Sequence, residues 1–298
     1  MNDWINDTHA LLDVPAGTPS APLNRRGLLK SSLGVGYALA ALPVMAQTAI
    51  KTDAQGLEVG EAMVKVGNDQ LPVYRARPAQ VKNAPVVLVI SEIFGVHEYI
   101  ADVVRRLAKA GYYAIAPDLF FRQGDPSAYG EIAKLNAEVI SKVPDAQIMG
   151  DLDACVAFAG SEGAAVDRLA ITGFCWGGRI TWLYAAHQPK LKTAVAWYGR
   201  LVGQTNPLQP THPLELASKV KVPVLGLYGG DDAGIPVSTV ESMKQALAKV
   251  SGPASQSEFV IYPQAPHAFH ADYRPTYRAD AANDGWQRLL NWFKKHGV

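Results

Sequence analysis

Cysteine is almost missing from this chain: among 298 residues there are two, Cys155 and Cys175. Two thiols supply neither a disulfide framework nor a cysteine-rich zinc site. An excess of either charge is missing too, with 28 Lys plus Arg against 27 Asp plus Glu and a formal net charge of +1. No basic run follows the N-terminal segment, so there is no electrostatic case for nucleic acid. The uncharged stretch from Ser31 to Ala46 is too short, and too rich in Gly, Ala and Ser, for a comfortable transmembrane helix. Internal repeats and, outside the N-terminus, low-complexity tracts are also lacking, which excludes solenoid architectures.

What is there begins with a leader. Residues 1–23 are polar and without period, and are expected to be disordered. Asn24-Arg25-Arg26-Gly27-Leu28-Leu29-Lys30 follows, then the Ser31–Ala46 stretch ending in Val44-Met45-Ala46. Paired arginines, a mildly apolar run and small residues at a cleavage point resemble a twin-arginine export signal, which implies residues 1–46 as leader and a periplasmic enzyme beginning near Gln47. The alternative is an uncleaved tail on a cytoplasmic protein. The remaining 47–298, roughly 250 residues, suffice for one domain with a large core, and strand and helix patterns alternate to the end without a linker-like break.

Leu57 to Val66 and Leu71 to Arg77 alternate around Gly67-Asn68-Asp69, which predicts an antiparallel hairpin at a sheet edge. Pro85 to Ile90 is a continuous apolar run, as in a central strand buried on both faces. It delivers Glu92 to the strand's carboxyl end, where open α/β sheets bind ligands. Tyr99 to Gly111 reads as a helix with Ile100, Val103, Val104, Leu107 and Ala108 on one stripe and Arg105, Arg106 and Lys109 facing water. Further strands are expected at Tyr113–Ala116, Leu169–Thr172, Lys192–Tyr198, Val222–Tyr228 and Ser257–Tyr262, and helices at about 127–141, 145–160 and 237–250. Ile148, Leu152, Cys155, Val156 and Ala159 share one helical face, so Cys155 is read as core. A last helix carries Ala282, Trp286, Leu289, Leu290 and Phe293 on one face. The alternation specifies an α/β protein with a mostly parallel central sheet and helices on both faces.

The chemistry gathers at Gly173-Phe174-Cys175-Trp176-Gly177-Gly178, between a β-branched run and a helix-forming one. Glycines two before and two after a reactive side chain have a steric reason, because a Cβ there would strike the neighbouring strand or helix. This is the nucleophile-elbow pattern G-x-S-x-G of α/β-hydrolases, with cysteine in place of serine. The turn sets Cys175 at a helix N-terminus, whose unpaired N–H groups favour a thiolate and an oxyanion. In isolation, a buried structural cysteine beside a glycine-rich turn would read the same way; the partners downstream favour a nucleophile. In this fold an acid and a histidine follow on loops after later strands, and Asp231-Asp232 and then His267 or His270 meet that order. The oxyanion donors are expected to be the backbone N–H groups of Trp176 and Ile93.

E-I-F-G at Glu92, P-D-L-F-F-R at Arg122, G-F-C-W-G-G at Cys175, D-D-A-G-I-P at Asp232 and A-P-H-A-F at His267 together resemble the dienelactone hydrolase (carboxymethylenebutenolidase) family over about residues 57–296. The resemblance selects Asp232 by its spacing to Pro236 and His267 by its A-P-H-A-F context. It implies that Glu92 hydrogen-bonds the resting thiol and helps deprotonate it when substrate arrives, and that Arg122 contacts a substrate carboxylate. The family's second arginine, four residues after the histidine, is Ala271 here, and Arg274 lies three residues further on. The expected enzyme is a monomeric hydrolase of a small enol lactone or activated ester bearing a carboxylate, acting through a Cys175 thioester and calling for no cofactor or metal. A general carboxylesterase and a thiol redox sensor or binding protein on the same fold are the alternatives.

Overall fold

Alternating and continuous apolar runs become the strands of one eight-stranded sheet in the computed structural model, which describes residues 50–298. The leader assigned to residues 1–46 lies outside the described residues. β1 (Leu57–Val66) and β2 (Asp69–Pro78) form the expected edge hairpin, with Leu57 opposite Pro78 and Val66 opposite Asp69. β3 (Pro85–Ile90), β4 (Tyr113–Pro117), β5 (Ala165–Phe174), β6 (Leu191–Trp197), β7 (Val224–Gly229) and β8 (Glu258–Tyr262) are mutually parallel. The helices are α1 (Glu98–Lys109), α2 (Ile132–Glu138), α3 (Asp145–Ser161), α4 (Trp176–His187), α5 (Val237–Ala248) and α6 (Ala279–Lys295). Val86 to Ile90 are fully buried, so the sheet is covered on both faces at its centre.

The strand order is β1-β2-β4-β3-β5-β6-β7-β8. The chain steps from β3 to β4 on one side, then crosses back so that β5 lies on the other side of β3. A crevice opens outside the carboxyl ends of strands at such a reversal. Glu92 and Ile93 follow β3 and Cys175 follows β5, so both are brought to that crevice.

Three local expectations are corrected. The helix expected at 127–141 is broken into a 3-10 turn at Pro126–Ala128, the short α2, and a second 3-10 turn at Ile140–Lys142. Tyr129 and Glu131 are extended around Gly130, and Val139 leaves the helical region at φ −120° and ψ −65°. On α6 the buried stripe is Ala282, Gly285, Leu289, Trp292 and Phe293, with Trp286 and Leu290 half-buried. It turns towards Gly285 because the Trp197 ring packs there: a Cβ on Gly285 would lie 2.6 Å from Trp197 Cζ3. On α1, Arg105 and Arg106 do not face water. Arg106 Nε lies 2.5 Å from buried Asp102, and Arg105 pairs with Glu98 and Asp102. Cys155 is fully buried as expected, and burial pushes its thiol up.

Candidate active site

β5 runs into the elbow and α4 starts at Trp176, leaving Cys175 between them at φ +55° and ψ −115°. Side chains other than glycine rarely occupy such a conformation, which costs on the order of 1–3 kcal/mol and needs support from its surroundings. The support is visible. Cys175 N–H donates to the Trp197 carbonyl at 3.0 Å, and its own carbonyl accepts from Arg179 N–H at 3.2 Å. A Cβ on Gly173 would strike the Gly177 carbonyl and lie 2.7 Å from Thr181 Oγ1. One on Gly177 would lie 2.6 Å from the Ser91 carbonyl. The two glycines therefore let strand, turn and helix close on one another, and nothing larger fits.

α4 is anchored beyond the turn. Arg179 is buried and holds Asp145, the first residue of α3, through two bonds of 2.7 and 2.8 Å, and it donates to the Thr211 carbonyl at 2.7 Å. Such a fork on a carboxylate is directional as well as strong.

The acid and histidine loops meet through a second pair of glycines. A Cβ on Gly229 would lie 2.9 Å from the Pro266 carbonyl, and one on Gly230 would lie 2.8 Å from Pro263 Cα. With no side chain in the way, Gly230 N–H donates to Tyr262 at 2.8 Å and Asp231 N–H to Ala265 at 3.1 Å. Asp231 points outward while Asp232 is buried. Asp232 Oδ1 accepts from the N–H groups of Gly234 and Ile235 at 2.9 and 3.1 Å, and Oδ2 meets His267 Nδ1 at 2.7 Å. Burial alone would push the Asp232 carboxyl up, but the facing imidazole and these donors hold it below the ordinary carboxylate range. Burial likewise works against the charged His267 ring, yet Asp232 and the sulfur of Cys175 outweigh it and lift the imidazole well above its ordinary value.

Nε2 of His267 is buried and has no partner at hydrogen-bond geometry. Cys175 adds to the proton affinity of that ring. Both residues line one narrow cavity with Trp176, Arg179, Tyr198, Arg200 and Ile235. Among the described residues the backbone N–H groups of Trp176 and Ile93 make no hydrogen bond. His270 is engaged elsewhere: its Nδ1 meets the Tyr99 hydroxyl at 2.6 Å, and it is packed against Phe174 and Trp197.

Two expected contacts are not brought together. Glu92, 1% exposed, does not bond the thiol; its Oε2 accepts from the Tyr273 hydroxyl at 2.6 Å and lies 3.8 Å from Arg274 Nη2. Arg122 forks onto Asp151 at 2.8 and 3.1 Å, bonds Asp69 at 2.6 Å and lies over the Phe121 ring. These aspartates occupy the guanidinium, and Arg122 does not line the Cys175 cavity. Sequence reasoning missed Tyr198, Arg200 and Tyr273. Tyr198 and Arg200 follow the carboxyl end of β6, the same signal that singled out Glu92; Tyr273 carries no such mark.

The sequence model of the dienelactone hydrolase family matches residues 71–297. A protein of Methylorubrum extorquens is 57% identical over 287 residues, covering 96% of this chain and 98% of its own. One of Escherichia coli K12 is 51% identical over 263 residues, 88% of this chain and 96% of its own. The names of both propose a carboxymethylenebutenolidase. A crystal structure from Klebsiella pneumoniae, whose name proposes a dienelactone hydrolase, superposes with a TM-score of 0.77 at 53% identity over 80% of this chain and 98% of that one. A family match that runs from β2 to the end of α6, with relatives more than half identical over nearly their whole lengths, settles the assignment: the chain belongs to the dienelactone hydrolase family and is a carboxylic ester hydrolase of α/β-hydrolase fold.

Proposed function

We propose that the enzyme opens an enol lactone, or cleaves an activated carboxylic ester, through a covalent Cys175 thioester. The observation that carries this reading is a thiol on a strained elbow at a helix N-terminus, sharing one cavity with a histidine whose far nitrogen is held by a buried aspartate. His267 takes the thiol proton and the sulfur attacks the carbonyl carbon, forming a C–S bond while the carbonyl π electrons move to oxygen. The N–H groups of Trp176 and Ile93 receive that oxyanion, each donor typically contributing about 3 kcal/mol. Collapse expels the ring or ester oxygen, which takes up the proton from the imidazolium. A neutral His267 then draws a proton from water, the hydroxide attacks the thioester, and the thiolate departs.

Thiolate is itself a good leaving group, so the first intermediate goes forward only when the other oxygen leaves easily. An enolate does, which favours enol lactones and activated esters over amides and alkyl esters. Forming the thioester also removes the sulfur's charge, one of the two that hold the proton on His267. The ring therefore passes its proton more readily to the leaving oxygen and is neutral when it must draw one from water. Arg200 on the cavity wall supports a substrate that carries a carboxylate.

The test is hydrolysis of cis- and trans-dienelactone beside neutral aryl esters by the wild type and Cys175→Ala. Turnover is expected to fall at least about 10³-fold on all of them. Full turnover by Cys175→Ala would remove the thioester.

A further inference from the structure

Among the described residues, four other than glycine hold a positive φ: Asn83, Cys175, Tyr198 and Ala268. Cys175 is the elbow itself and Ala268 directly follows His267, while Tyr198, at φ +37°, stands one residue past β6 on the wall of the same cavity. The thioester mechanism leaves Tyr198 without a task, yet its backbone conformation is costly for any side chain but glycine. The surroundings enforce it. Tyr198 N–H donates to the Leu227 carbonyl at 2.7 Å, the Gly199 carbonyl accepts from the Tyr228 hydroxyl at 3.2 Å, and the Trp197 carbonyl is taken by Cys175 N–H at 3.0 Å. A Cβ on Gly199 would lie 2.6 Å from Arg179 N, so the turn after β6 presses on the first turn of α4 and is locked to the elbow.

The side chain carries a second penalty. Tyr198 is fully buried, and its hydroxyl reaches no partner at hydrogen-bond geometry. Tyr99, the neighbouring group that acts on it most, is engaged with His270 Nδ1 at 2.6 Å. The Tyr198 ring is fixed by edge-on contacts, at 5.2 Å to the imidazole of His267 and 5.2 Å to Phe269. Burial, then Tyr99 and Glu92, push the proton affinity of the phenol well up, so it stays an O–H donor at neutral pH. Backbone strain and an unmet buried donor fall on one residue, in the cavity and against the imidazole, where only a group with a further role is retained. We propose that Tyr198 is a further catalytic residue, whose hydroxyl donates a hydrogen bond to the leaving oxygen as the tetrahedral intermediate collapses. The carbonyl oxygen already has two backbone donors, after β3 and β5, whereas Tyr198 enters from β6 beside the ring that hands its proton to the leaving oxygen. The C–O bond breaks, its electron pair stays on oxygen and the proton comes from His267; the tyrosine keeps its own. This inference rests on the Cys175 thioester reading and deepens it.

The experiment is kcat/KM of wild type and Tyr198→Phe on substituted phenyl acetates, from the p-nitrophenyl to the p-methoxyphenyl ester, beside thermal unfolding of both proteins. Tyr198→Phe removes only the hydroxyl. The poorer the leaving phenol, the more its oxygen needs a donor when the C–O bond breaks, so the loss should grow along the series. It is expected to stay within about twofold for the nitrophenyl ester and to reach about 10- to 100-fold for the methoxyphenyl ester, the size of one hydrogen bond to a charged group. Stability should not fall, because the substitution takes away a buried donor that the protein leaves unmet. A uniform loss across the series, or none, overturns the proposal. So does a melting temperature lowered by more than about 3 °C, or a variant that does not fold, since either shows a hydroxyl held by the protein itself. Full turnover by Cys175→Ala would strike the thioester mechanism, whereas an inactive Cys175→Ala with an unaltered leaving-group dependence in Tyr198→Phe strikes only the tyrosine, so the two ideas fail separately.

Discussion

At the scale of single residues the site is a question of where one proton resides. Its candidates are sulfur, imidazole and a buried carboxylate, and burial penalises every charged form among them. Asp232 answers for the imidazole by holding Nδ1 at 2.7 Å, which fixes the ring's tautomer and turns Nε2 towards the cavity. Asp232→Asn should cut ester hydrolysis by about 10²- to 10⁴-fold while leaving the backbone unchanged, since the amide both loses the charge and favours the wrong tautomer. The sign on pH follows from His267, whose proton is held above its ordinary range by Asp232 and the sulfur despite burial. With Asp232 gone, the imidazole titrates lower, so the acid limb of the residual rate, where the base becomes protonated, should move to lower pH. Stopped-flow rates across pH would show this, and a variant within twofold of wild type would contradict it.

Between elements, charged pairs rather than apolar contact set the distances around the crevice. Arg122 ties the segment after β4 to Asp151 on α3 and to Asp69 at the start of β2. The Asp151 carboxyl is raised by burial, against the pull of Arg122, and would be left uncompensated if the guanidinium were removed. Arg122→Gln is therefore expected to lower stability by about 2–4 kcal/mol, less than the loss of a fully buried pair because Arg122 is partly exposed. It should impair acidic and neutral esters alike, measured by urea denaturation beside kcat/KM on both. A selective loss on acidic esters would return Arg122 to the role of a substrate clamp.

Over the whole molecule, the N-terminal edge is joined to the histidine loop through Asp272. Its Oδ2 accepts from Ile50 N–H at 3.2 Å and from Arg106 on α1 at 3.0 Å. Burial lifts this carboxyl to about 6 against the pull of Arg106, with Asp102 nearby pushing the same way as burial. The native chain thus keeps a proton that the unfolded chain releases near pH 4. Its contribution to stability is complete below about pH 4 and is lost as pH rises through about 6. Asp272→Asn cannot titrate, so between pH 4 and 7 its stability should gain on that of wild type by up to about 3 kcal/mol. Thermal unfolding across that range checks this; parallel profiles would contradict it. Asp232 and His267 titrate in both proteins, so their contribution cancels from the difference.

The architecture was legible in the chain because its signals are local. Continuous apolar runs in Val86–Ile90, alternation in the β1–β2 hairpin and the four glycines around Cys175 and before Asp231 each state a steric or solvation demand that a few neighbouring residues meet by themselves. The order Cys175, then Asp231-Asp232, then His267 or His270 was legible for the same reason, each marked by the strand that ends before it, while the choice of Asp232 and His267 came from the family resemblance. What needed the folded molecule was the choice of partner for each long charged side chain. Arg122 found Asp151 across 29 positions, Glu92 found Tyr273 across 181, and Arg106 found Asp272 across 166. No period in a sequence encodes such pairs: a carboxylate or guanidinium joins whichever opposite charge folding buries beside it, and that is decided by packing among segments far apart in the chain.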